Sequence, residues 1–70
     1  MQTKEIVAAQ LMQDDYLFVA GRLYRVGIVN TYMNDTVGIQ LYDPNQGRPA
    51  KLFFLNLTVH TSTLMQILNQ

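Results

Sequence analysis

The chain has no cysteine, a single histidine and two prolines in 70 residues. Without cysteine it has neither a disulfide framework nor a thiolate metal site, and one histidine cannot build a Cys/His zinc centre. Charge is scarce as well. Five Lys/Arg balance five Asp/Glu, and charged residues make up 14% of the chain, against about 25% in an average soluble domain. No apolar run approaches the roughly 18 residues of a membrane span. The opening Met1-Gln2-Thr3-Lys4-Glu5 lacks the basic start and apolar core of a secretory signal. A cytoplasmic protein with no membrane partner is the expectation. What the chain does have is hydrophobic content, 49%, and that excludes intrinsic disorder.

Repeats, low-complexity tracts and linkers are absent, so residues 1–70 read as one domain. A core this small supplies only about 3–5 kcal/mol and usually needs a staple. With disulfides and zinc removed, self-association is the staple left, and zero net charge favours it.

Thr3 is placed to cap a short helix with Glu5 in its first turn, where the helix dipole favours an acid. Ile6, Val7 and Leu11 then share a face. A short strand over Ile6–Ala9 is the competing reading. From Tyr16 the signals are for strands. Tyr16–Val19 ends at Ala20-Gly21-Arg22, a reversal in which glycine takes positive φ. Leu23–Tyr32 follows with Tyr24, Val26 and Ile28 on one face, and Gly27 on the other marks a bend or bulge. Asn34-Asp35 punctuates a hairpin. Thr36–Tyr42 alternates cleanly, with Val37, Ile39 and Leu41 to one side. Asp43-Pro44-Asn45-Gln46-Gly47 is a turn. An apolar run from Ala50 continues through His60, and Leu64–Leu68 is the last strand.

The expected fold is therefore mostly β: a short N-terminal helix, then a strongly bent five-stranded antiparallel sheet that nearly closes into a barrel. Its last two strands are the expected edges. Lys51 is the only charge from Ala50 to Gln70, and an uncharged apolar edge is a docking template. Phe53, Leu55, Leu64 and Ile67 are the expected contacts with an identical neighbour. Head-to-tail pairing of such edges closes into a ring when the rotation permits.

This layout resembles the Sm and Sm-like family of RNA-binding ring proteins. Gly21-Arg22 looks like the turn between that family's first two strands, and Gly27 like the glycine in its second strand. Tyr32-Met33-Asn34-Asp35 falls where its first RNA-contacting loop lies, without the family's Asp-x-x-x-Asn signature. Val59-His60-Thr61-Ser62 before Leu64-Met65-Gln66-Ile67 resembles its Ile-Arg-Gly-Asp loop and following strand, with His60 in place of the arginine. Other SH3-like barrels of translation-factor and KOW type share the pattern of Asp15-Tyr16-Leu17 and Gly21-Arg22-Leu23-Tyr24-Arg25-Val26.

The resemblance implies a homo-oligomeric ring that binds single-stranded nucleic acid, RNA or DNA, with RNA favoured. Bases would meet Tyr32, Asn34 and Asp35 of one loop and His60, Thr61 and Ser62 of another, with Arg22 and Arg25 assisting at phosphates. The plain structural roles of these residues are solvated strand-end charges for the arginines, packing for Tyr32 and an interface contact for His60. The rival class is an SH3-like interaction module, an adaptor or inhibitor docking through apolar edge strands. Catalysis is not expected. His60 has no acid nearby in sequence to orient it beside Ser62, and Asp14-Asp15 read as a turn. No cofactor is implied.

Overall fold

The computed structural model describes residues 2–45 and 54–69. Their strands are β1 Thr3–Val7, β2 Tyr16–Val19, β3 Arg22–Thr31, β4 Thr36–Tyr42, β5 Phe54–His60 and β6 Leu64–Leu68. They form one six-stranded sheet in the order β1-β6-β2-β3-β4-β5, antiparallel throughout. The expected N-terminal helix does not form. Residues 3–7 are a strand, and Ala8–Gln10 make a single 3-10 turn. Thr3, Ile6 and Val7 are stiff at χ1, which favours a strand, and a helix this short is marginal by itself. Pairing with β6, from Thr3 opposite Leu68 to Val7 opposite Leu64, gives the segment a full ladder of main-chain bonds instead.

Strands β2, β4 and β6 have the bounds that local pattern predicts. The front of the expected fifth segment, residues 50–53, lies outside the described residues, as does Phe53 with it. Three turns rest on left-handed backbone. Ala20 and Gly21 both have positive φ, 51° and 77°, which makes the two-residue hairpin that pairs Val19 with Arg22. Asp35 sits at 61° in the turn closed by the Tyr32 N–H donating to the Thr36 carbonyl at 2.8 Å. Asp14 sits at 72°, and the Asp15 carboxylate accepts from the Met12 N–H at 2.9 Å. These two acids shape a turn.

Strand β3 carries a bulge. Val26 pairs with Leu41 and Val29 with Ile39, so Gly27 and Ile28 together oppose Gln40. The extra residue reverses the alternation. Val26 is buried, and Val29 packs against the core. Ile28, expected beside Val26, instead turns outward and is 50% exposed. The core is Leu17, Val26, Val37, Ile39, Leu41 and Ile67, closed by Ala8, Leu11 and Met65. On the other side of the bulge a Cβ at Gly27 would overlap Cε2 of Tyr42. That ring is itself covered by the Arg25 guanidinium, 5.2 Å from its centroid. Gly27→Ala must displace this stack, and overpacking of that kind costs about 1–3 kcal/mol. Urea unfolding should register the loss, and an unchanged midpoint would show that Tyr42 swings aside freely.

The sheet is open, with no pairing between β5 and β1 or β5 and β6 among the described residues, yet it is strongly bent. β5 and β6 are separated in the sheet by β2, β3 and β4, about 19 Å apart if the sheet were flat. The Thr63 N–H donates to the His60 carbonyl at 3.0 Å, and such a turn holds its ends within about 7 Å. Only curvature reconciles the two. The free edges are β1 and β5, which corrects the expectation for β6. Ile67 is 4% exposed in the core, between Lys4 of β1 and Leu17 of β2. Its side chain is therefore taken up by the chain's own core. Leu64, 62% exposed, stands opposite Val7 on the same paired strand. Leu55 does lie on a free edge, and its side chain is exposed.

Candidate nucleic-acid interface

The curvature brings two turns together at one corner. The Thr61 N–H donates to the Asp35 carbonyl at 2.9 Å, and Thr36 pairs with His60 across β4 and β5. The Thr36 hydroxyl donates to Asn34 Oδ1 at 2.6 Å, fixing that side chain over the turn. On the far side the Ala9 N–H donates to the Thr61 carbonyl at 3.1 Å and the Ala8 N–H to the Thr63 carbonyl at 2.8 Å. The β5–β6 turn is thus held from both flanks. Tyr32, Asn34, Asp35, His60, Thr61 and Ser62 all lie at this corner.

The orientation of His60 follows from its neighbours. The Ser62 N–H donates to His60 Nδ1 at 3.1 Å, and Ser62 Oγ lies 2.7 Å from the same nitrogen. Nδ1 is the accepting nitrogen, so the neutral imidazole carries its proton on Nε2 as a donor. Tyr32 is 50% exposed. The corner therefore offers a flat ring, an imidazole donor, hydroxyls and the Asn34 amide.

Arg22 and Arg25 are not part of it. They lie at the start of the ten-residue β3, and Arg25 stands about 20 Å from the far end of that strand at the usual rise. Arg22 forms an ion pair with Asp43 at 3.1 Å and lies 5.4 Å from the Tyr24 ring centroid. Arg25 covers Tyr42. Within one chain the expected phosphate contacts and the expected base contacts occupy opposite ends of the sheet.

No protein family, curated protein or solved structure matches this chain. Among the described residues no three His, Cys, Asp or Glu are placed to hold a metal, and no helix is long and apolar enough to cross a membrane.

Beside the corner lies a feature that sequence pattern did not reveal. A cavity of about 340 Å³ on the outer face of β3, β4 and β5 is lined by Asn30, Tyr32, Gly38, Gln40, Asn56 and Thr58, together with Ile39 and Leu57. Uninterrupted alternation along β3 would put Asn30 and Tyr32 on the core side with Val26. The bulge at Gly27 and Ile28 turns them outward. The signal that was available is the glycine in the strand together with Gly38 and Gln40 on the outer face of β4.

Proposed function

We propose that this chain is a small Sm-like or SH3-like barrel whose copies assemble edge to edge into a ring and bind single-stranded nucleic acid, RNA by preference. One observation carries the reading: the Thr61–Asp35 hydrogen bond, which joins the β3–β4 and β5–β6 turns and gathers Tyr32, Asn34, His60 and Ser62 at one corner. Tyr32 stacks on a base, and His60 Nε2, the hydroxyls and the amide read its edge. The pronounced curl of the sheet supports barrel closure. Strand β5, Phe54–His60, has no charged side chain apart from its terminal histidine if protonated, and it offers its unpaired main chain to β1 of the next copy. Repetition around a ring then supplies the affinity that one corner, with the Asp35 carboxylate and no Lys or Arg among its residues, lacks.

A second reading, an interaction module docking on a different protein through β5, draws on the distance of Arg22 and Arg25 from the corner. Light scattering and anisotropy with labelled oligo-U and oligo-A separate the two. The ring reading expects a discrete oligomer larger than a dimer and binding that weakens with salt. Leu55→Lys should disperse the oligomer, and Leu64→Lys should leave it whole because β6 is covered by β1. A monomer at tens of micromolar that binds neither oligonucleotide hands the function to the interaction module.

A further inference from the structure

The cavity beside the corner has no role in that reading as it stands. Across the strands Asn30 faces Gly38, Gly38 faces Thr58, and Gln40 faces Asn56. Gly38 leaves the middle strand without a side chain, and the Tyr32 ring leans over it, with Oη 2.8 Å from the point where a Cβ would stand. Tyr32 thus walls the hollow at the turn end, and the Gln40–Asn56 pair walls it two residue pairs beyond Gly38 and Thr58. Among the described residues no charged side chain lines it. The side chains of Asn30, Gln40 and Asn56 make no hydrogen bond to any described residue. Three amides, each with a donor and an acceptor, stand open around one aromatic wall.

That composition selects its ligand. Without charge the hollow has nothing to neutralise a phosphate or a carboxylate. A lining that is mostly polar, with Ile39 and Leu57 its two aliphatic residues, suits an apolar side chain poorly, since the centres of protein interfaces are apolar. A neutral ring with donors and acceptors on its edge and a flat face for Tyr32 meets every condition, and Asn and Gln pair with base edges through two hydrogen bonds at once. We infer that the hollow formed by Asn30, Tyr32, Gln40, Asn56 and Thr58 over Gly38 is a nucleobase site, a second one beside the corner. The choice of a base rests on the nucleic-acid reading above. The site itself rests on the open amides. Tyr32 borders both places, so a strand leaving the corner along β5 enters the hollow within three residue pairs.

The test uses the full chain, isotope-labelled, titrated with adenosine, uridine, ribose 5-phosphate and glucose while side-chain amide resonances are followed. Adenosine or uridine should shift the Asn30, Gln40 and Asn56 amides, and ribose 5-phosphate and glucose should not. Absence of a shift with either nucleoside, or an equal shift with glucose, overturns the assignment. The double variant Gln40→Ala/Asn56→Ala changes only outer-face side chains. It should abolish the nucleoside shifts and weaken oligonucleotide binding by at least about 5-fold. Gly38→Ala, which pushes Tyr32 off its seat, is the second variant and should act in the same direction. Should His60→Ala/Ser62→Ala remove oligonucleotide binding and both groove variants leave it intact, the hollow is not a base site and the corner reading stands. Nucleoside shifts in a chain that binds no oligonucleotide would have the opposite meaning: the hollow stands and the corner reading falls.

Discussion

Leu17→Ala should remove about 2–5 kcal/mol of stability, the usual loss for a buried leucine that leaves a cavity. Its position makes the upper part of that range the expected one. Leu17 is fully buried, and it pairs with Tyr24 of β3 on one side and Ile67 of β6 on the other. Strand β2 joins the β1–β6 pair to the β3–β4–β5 meander, and its register with β6 consists of Leu17–Ile67 and Phe18–Gln66. A void there loosens the seam between two halves of the sheet. At about 0.05–0.15 kcal/mol per residue the whole domain holds only some 4–10 kcal/mol, so the variant should lose a large share of its stability and unfold at a lower temperature and urea concentration. An unfolding free energy in urea within about 1 kcal/mol of the parent's would show that the two halves do not depend on this contact.

Tyr32→Ala should weaken binding of a single-stranded oligonucleotide by about 5- to 150-fold, the effect of losing about 1–3 kcal/mol of stacking on one base. The side chain is well suited to a clean experiment. It is half exposed, outside the core, and leans on a glycine rather than on a packed side chain. Thermal unfolding should therefore change little as affinity falls. Tyr32→Phe keeps the flat face and should keep most of the affinity. Equal losses in both variants would assign the effect to the hydroxyl, and no loss in either would remove Tyr32 from the interface.

Much of the sheet was legible from local pattern. Val37, Ile39 and Leu41 alternate without interruption, and β4 has the predicted bounds. Leu64–Leu68 was equally plain. What escaped depends on residues distant in the chain. Residues 3–7 are a strand only because β6, some sixty positions later, supplies the partner. For the same reason local pattern alone leaves β6 looking like an edge, whereas β1 covers it. The presence of a bulge was readable from Gly27, but its effect on the facing of Ile28, Asn30 and Tyr32 was not, because that depends on which residues of β4 stand opposite. At the candidate site the residue types of both turns were in view. Their meeting through Thr61 and Asp35, and the distance of Arg22 and Arg25 from them, follow from curvature and strand length.

The ladder between β1 and β6 has one more consequence. It matches Thr3 with Leu68 and Val7 with Leu64, and the Asn69 N–H donates to the Gln2 carbonyl at 2.9 Å. Almost the whole chain must be enclosed before these bonds form, whereas the β2–β3 and β3–β4 hairpins close over a few residues. Loop-closure entropy therefore places this ladder late in folding, after the meander has provided a surface to receive it. Amide hydrogens of Lys4, Glu5 and Gln66 should accordingly exchange with solvent ahead of those in β3 and β4.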